Sequence, residues 1–301
     1  MGDLAHALVN SPLATQLLGR CNFPARPAAA AVSGGPDSMA LLMLAHCAGC
    51  LSDVVHVDHG LRTDSHLDIE LITDVAAQLG IEVRAIRVDV ADGPNLEARA
   101  REARYAVMPS KVMTGHTEDD QAETVIINLL RGSGTSGLSA MSRDTNHPLL
   151  ALRRSETRAL CEELGVATVD DYTNSDPKYQ RNRIRNEVIP LLNEVSHRDI
   201  VPVLARQADI LRADEEFLYA QTLGIDPTDA RTVAALPTAI ASRVMRAWLA
   251  DPYPPDSATV ERALSVARGE SLGTDLGGGR HLSRHQQVLK ISRSQSAPTD
   301  H

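Results

Sequence analysis

Several short stretches of this 301-residue sequence carry residue types and spacings that could do chemistry. Ser33-Gly34-Gly35-Pro36-Asp37-Ser38 stands between an apolar run and a helix-prone segment. Glycines let a backbone approach an anion closely, and the N–H groups at a helix start attract phosphate. The hydroxyls of Ser33 and Ser38 add donors. Asp37 would repel a phosphate unless a cation lay between them, which points to Mg²⁺ held by Asp37. The loop lacks the Gly-Lys-Ser/Thr ending of a Walker A motif and the three spaced glycines of a dinucleotide fingerprint. A bare glycine pair would serve equally as a plain turn.

Asp120 and Glu123 lie three apart at the head of a helix-like stretch and so share a face. Acids there can also simply complement a helix dipole. Asp58 and His59 follow a strand-like run, where a base or ribose would sit, and His116 follows another. Histidine titrates near neutral pH, so His59 and His116 suit phosphate contacts. Arg181, Arg183 and Arg185 have no acid between them, and Lys178 precedes them. Guanidinium forks match phosphate oxygens. The helical spacing of Ile184, Val188 and Leu191 leaves these arginines facing outward, although Asp170, Asp171 and Asp176 nearly balance their charge. Cys47 and Cys50 form a CxxC without a second pair, and Cys21 and Cys161 stand alone. A structural zinc site wants four ligands, so the cysteines read as structural.

The elements that must position these groups alternate. Ala28–Val32, Val54–Val57, Val83–Val88 and Lys111–Thr114 read as strands. Met39–Ala45, Asp64–Leu79, a helix capped by Asn95, and Asp119–Leu130 read as helices. Alternation of this kind predicts an α/β fold with a doubly wound, mainly parallel sheet. Ligands then bind beyond the carboxyl ends of the strands. Residues 1–27 read as one short amphipathic helix and a link. The division falls at 195: residues 196–301 predict a second, mainly helical domain with a terminal hairpin led in by Gly277-Gly278-Gly279. Composition is that of an ordinary globular protein, with 43% hydrophobic and 23% charged residues, which excludes disordered and collagenous classes. The net charge of −9 excludes a wholly basic nucleic-acid sleeve but leaves room for a basic patch. Aromatics at 3% argue against base-stacking platforms. There is no apolar run long enough to span a bilayer and no basic region ahead of an apolar stretch, so no membrane and a cytoplasmic location are expected.

Ser33–Ser38 resembles the SGGxDS signature of the PP-loop ATP pyrophosphatases. Three further stretches resemble one branch of them, the tRNA(Ile)-lysidine synthases. They are Val57-Asp58-His59-Gly60-Leu61-Arg62; Gly115 to Thr124 with Leu130-Arg131-Gly132-Ser133-Gly134; and Asp176-Pro177 with Arg181-Asn182-Arg183-Ile184-Arg185, running into Glu187–Leu192. Order and spacing match over roughly residues 28–192.

The resemblance implies that ATP adenylates the ring carbonyl oxygen of the wobble cytidine in CAU-anticodon isoleucine tRNA. Free L-lysine then displaces AMP to form lysidine. It implies a catalytic PP-loop domain over 1–195 and a tRNA-binding domain over 196–301. It further implies catalytic roles for Asp37, Asp120 and Glu123. Asp120 would support metal and adenylation or act as base, and Glu123 would position lysine. ATP would be held by Ser33, Gly34, Gly35, Pro36, Asp37, Ser38, Asp58, His59 and His116, with Mg²⁺ on Asp37. tRNA would be held by Arg131, Arg181, Arg183 and Arg185, with Arg131 in a loop at the active-site mouth. Relatives are often dimers, so the resemblance leaves room for a homodimer, and the sequence does not give the oligomeric state. The segments near 105–111 and 141–147 are shorter than the family pattern. Alternatives are a tRNA thiolase, which needs a catalytic cysteine, an amidotransferase partner, which needs an ammonia source, and a non-catalytic RNA-binding protein.

Overall fold

The computed structural model describes residues 3–58, 65–88, 106–109, 111–169 and 178–293. His59, most of the Asn95 helix, Asp170, Asp171 and Asp176-Pro177 lie outside the described residues. The chain forms two compact units that divide between Leu211 and Arg212.

In the first unit the strands Ala28–Ala31 (β1), Leu51–Asp58 (β2), Val83–Arg87 (β3) and Met113–Thr114 (β4) form one sheet in the order β3-β2-β1-β4. Every pairing is parallel. The chain builds outward from β1 to β3, then returns to the other side of β1. The strand order therefore reverses between β1 and β4, and the crevice at their carboxyl ends is the switch point where such sheets take ligands. The expected doubly wound architecture is present.

β1 is four alanines, poor strand formers by propensity. Its pairing with β2 on one side and β4 on the other holds it extended. The helix that follows, Pro36–Cys47, is buried without interruption from Ser38 to Ala45, as expected of a helix apolar on all sides. The predicted N-terminal helix is two, Asp3–Asn10 and Pro12–Leu18. Pro12 has no N–H to continue the first, and the Ser11 hydroxyl caps the second by accepting from the Ala14 N–H at 2.9 Å. Leu4, Leu8 and Leu17 join the core that holds Met39, Leu41 and Ile72.

Two further elements reach the switch point. The helix Glu118–Leu130 follows β4, and Arg154–Glu163 follows a stretch of turns. Gln180–Arg183 continues through a π-helical turn, Ile184–Val188, into Ile189–Ser196. Ile184 and Ile189 pack on Ala122 and Ile126, docking this run against the Glu118–Leu130 helix.

The second unit holds the helices Ala230–Ala235, Thr238–Leu249 and Ser257–Arg268 around Val244, Met245, Val260 and Leu264. The predicted terminal hairpin is a three-stranded antiparallel meander, Gly273–Gly277, Arg280–His285 and Val288–Arg293. Gly277, Gly278 and Gly279 all take positive φ and make its first turn, so the glycine run lies inside the sheet and does not merely precede it. Among the described residues no helix is long and apolar enough to cross a membrane.

Candidate active site

The Ser33–Ser38 loop leaves β1 and enters the Pro36–Cys47 helix at the switch point. The Ser38 hydroxyl closes the turn, accepting from the Ser33 N–H at 3.1 Å and donating to the Gly35 carbonyl at 2.9 Å. Gly34 sits at φ 88°, a conformation that L side chains rarely adopt. Gly115, leaving β4, passes so close that a Cβ there would stand 2.8 Å from the Asp37 carbonyl oxygen. The two strand exits are thus pressed together. The N–H groups of the first helical turn have no partner within their helix, which makes the spot receptive to an anion.

Asp37 is joined there by Asp120 and Glu123. Asp120 closes a capping box at the head of its helix, its Oδ2 accepting from the Thr117 N–H at 2.8 Å and hydroxyl at 2.9 Å. Its Oδ1 accepts from Arg154 Nη2 at 2.9 Å and Arg181 Nη2 at 3.0 Å. Glu123, one turn on, has a side chain with 0% exposure. It accepts from Arg154 Nη1 at 3.1 Å, Arg181 Nε at 2.7 Å and Arg185 Nε at 2.7 Å. Asp37 accepts from Arg154 Nε at 3.3 Å and from the Thr157 hydroxyl. Three carboxylates meet three guanidiniums, and their formal charges cancel.

The environment separates the acids. Burial, and then the charge of Asp120, push the Asp37 carboxyl up to about 6, against the opposing pull of Thr157 and Arg154. Burial alone would raise Asp120 too, but Arg154, Arg181, His116 and the Thr117 N–H outweigh it and hold that carboxyl well below the usual range. Asp120 is therefore a weak base and a strong acceptor of cations. Glu123 is spoken for by three arginines, so it orients them and does not present a free carboxylate.

The arginine triplet does not face outward as expected. Arg181 and Arg185 turn inward onto Glu123, because a buried carboxylate needs paired cations and their spacing of four puts both on one helix face. Arg183 is on the exposed side, paired with Glu187 at 2.9 Å. Arg131 is exposed at the far end of the Glu118–Leu130 helix, about 16 Å along its axis from Asp120 at 1.5 Å per residue. Asp58 ends β2, and its carbonyl accepts from the Val88 N–H at 2.8 Å. His116 bonds the Thr114 hydroxyl through Nδ1 at 2.7 Å, with its ring 5.4 Å from that of His147.

Arg154 and Thr157 were not singled out from the sequence. A signal existed: Arg153 and Arg154 open a helix, where cations oppose the dipole, so an acidic partner was required. Arg153 meets Asp119 at 3.1 Å, and the Arg154 N–H donates to the same carboxylate at 2.8 Å. Cys161 lies inside this helix, its Sγ 3.5 Å from the Pro36 carbonyl, and burial pushes its thiol up to about 12. Burial of this kind disfavours the thiolate, the form that attacks. Cys50 is buried and Cys47 half-buried, and burial raises both thiols.

Among the described residues no group of three His, Cys, Asp or Glu side chains converges to hold a metal. A hard cation at the loop would take oxygen from Asp37, with Asp120 beside it, and the rest from phosphate and water. That is the usual mode of Mg²⁺, and the donor set fits it.

A family model described as a PP-loop domain matches residues 9–192. The chain is 41% identical over 242 residues to the tRNA(Ile)-lysidine synthase of Rhodococcus erythropolis, covering 75% of this chain and 74% of that protein. It is 38% identical over 277 residues to that of Nocardia farcinica, covering 85% and 87%. The Mycobacterium tuberculosis enzyme of the same name is 38% identical over 294 residues, covering 87% and 90%. Among solved structures, the U34-tRNA thiolase NcsA from Methanococcus maripaludis, determined with its 4Fe-4S cluster, shares the fold. Its TM-score is 0.52 at 15% identity, over 66% of this chain and 78% of that one.

Proposed function

Because the chain belongs to the tRNA(Ile)-lysidine synthase family, within the PP-loop ATP-using enzymes, we propose that it joins lysine to the wobble cytidine of CAU-anticodon isoleucine tRNA at the cost of ATP. The observation that carries the reading is the meeting of the phosphate-type loop with Asp120 and Glu123 at the switch point of the sheet.

An inert ring carbonyl needs a leaving group before an amine can replace its oxygen. Attack of that oxygen on the α-phosphorus of ATP breaks the α–β bond, releases pyrophosphate and leaves AMP on the ring. The side-chain amine of lysine then forms the new C–N bond, and AMP departs with the oxygen. The loop N–H groups, with Ser33 and Ser38, cradle the phosphates, and Asp37 would hold Mg²⁺, which neutralises developing phosphate charge. Asp58 and His116, at the ends of β2 and β4, serve the base, ribose or phosphates, and His59 belongs to the same set. Arg181 and Arg185, held by Glu123, present guanidinium edges to an anion such as phosphate or the lysine carboxylate. Once an anion draws on those arginines, Asp120, with an 11% exposed side chain, is the carboxylate open to an ammonium.

Arg131 and Arg183, both exposed, suit tRNA phosphates. The unit after Leu211 carries further tRNA contacts, and a homodimer is tested by light scattering. The thiolase alternative loses its candidate nucleophile with the buried Cys161.

The test mixes protein, ATP, Mg²⁺, labelled lysine and the tRNA. Label should enter the RNA only with ATP. ATP-independent incorporation, or none from folded protein, contradicts the reading. In the same assay Asp37→Ala should abolish AMP release and leave tRNA binding intact. Persisting AMP release would remove Asp37 from the metal role.

A further inference from the structure

We propose that Arg154 is a positioning residue for adenylation, a clamp that sets the distance between the phosphate loop and the Asp120–Glu123 pair. The proposal rests on the lysidine synthase reading. Its guanidinium uses three different nitrogens on three carboxylates: Nε to Asp37 at 3.3 Å, Nη2 to Asp120 at 2.9 Å and Nη1 to Glu123 at 3.1 Å. Asp37 belongs to the helix that opens at the loop, and the other two belong to the helix after β4. Among the described residues Arg181 and Arg185 pair with Asp120 and Glu123, whereas Arg154 alone also spans to the loop.

The clamp is itself held firmly. The Arg154 N–H donates to Asp119 at 2.8 Å, tying its helix to the first turn that carries Asp120. One turn further, Thr157 is fully buried and donates to Asp37, so the same helix grips that carboxylate twice. Three acids brought together would otherwise repel one another. A cation at the first residue of a helix opposes the dipole, a local cost that the three carboxylates offset. The geometry demands arginine: a planar fork offers separate, fixed donors, whereas lysine brings one compact charge on a flexible stem.

Arg154 acts through the carboxylates. The loop's N–H groups supply the ground-state grip on ATP, so loss of the clamp should appear in kcat more than in KM. We expect Arg154→Lys to keep its melting temperature within about 3 °C, because the charge compensation survives. Its kcat for tRNA-dependent AMP release should fall about 100-fold with KM for ATP within about threefold, the size of effect that a misplacement near 1 Å produces. As a second variant, Arg154→Ala should regain about tenfold in rate on adding guanidinium, which restores the planar fork, and nothing from methylammonium.

Wild-type protein is the reference in each assay. A folded wild type that releases no AMP contradicts the lysidine synthase reading itself. An active wild type with an equally active Arg154→Lys overturns the clamp. So does a loss carried by KM, or one that follows melting temperature alone.

Discussion

The phosphate loop and the acid–arginine wall meet at one switch point but manage charge in opposite ways. The loop relies on backbone: a glycine at positive φ, a serine-closed turn and helix N–H groups aimed at an anion that arrives later. The wall relies on formal charges already paired, with Glu123 buried under three guanidiniums. The loop is preorganised and receptive. The wall is satisfied without ligand and must exchange partners to accept one. The loop therefore suits binding of the nucleotide, and the wall suits the step in which charges are redistributed.

Breaking the wall should cost the most. Glu123→Ala removes the one buried carboxylate that all three guanidiniums share, leaving Arg154 and Arg181 on Asp120 and Arg185 no nearer to it than 3.9 Å, and loss of one partner from such a cluster costs about 3–5 kcal/mol. Chemical denaturation should show that loss, with activity abolished. A near-neutral change would mean that the arginines find water readily and the wall is not buried in solution.

Asp37 sits where the two regions touch, and pH separates its effect. Its carboxyl is raised to about 6 from an ordinary 3.8, so between those values the folded protein binds more protons than the unfolded chain. Stability must then fall as pH rises through that window and stay lower above it. The window corresponds to roughly 3 kcal/mol at most, at 1.36 kcal/mol per pH unit. Asp37→Asn cannot ionise, so without nucleotide or metal it should melt above wild type at pH 7.5 and lose that advantage at pH 4. The reverse order would show that Arg154 and Thr157 stabilise the ionised form more than burial penalises it.

Gly115→Ala tests the loop side. Its Cβ would stand 2.8 Å from a backbone oxygen and 3.0 Å from the Ser38 nitrogen. Overpacking of this kind costs about 1–3 kcal/mol, and KM for ATP should rise as the loop is displaced. An unchanged KM would show that β4 can retreat without moving the loop.

The smallest effect is expected at Arg183, an exposed ion pair. Arg183→Ala should leave the melting temperature close to that of wild type and AMP release with saturating tRNA unchanged. It should weaken tRNA binding and flatten its salt dependence. An unaltered salt slope would remove it from the tRNA face.

What could be read from the sequence follows the same divide. The loop is local, and so are Asp120 and Glu123 on one face, the parallel strands and the helix ends within a few residues. The wall is non-local. Its arginines come from two segments beyond residue 150, and whether Arg181 faces in or out depends on the docking of Ile184 and Ile189 against Ala122 and Ile126. Periodicity places Arg181 and Arg185 on one face without saying what that face meets. Arg154 left only the trace of a cation at the wrong end of a helix. The terminal hairpin was read one strand short, because three consecutive glycines look like a lead-in, although here they turn one strand into the next.

The most direct test of the central claim follows the α-phosphate. Protein, Mg²⁺ and CAU-anticodon isoleucine tRNA are incubated with ATP labelled at the α- or the γ-phosphate, without lysine, and the RNA is isolated. The account predicts α-label on the RNA, no γ-label, and release of the α-label as AMP when lysine is added. RNA that never carries α-label, with ADP as the nucleotide product, would contradict it.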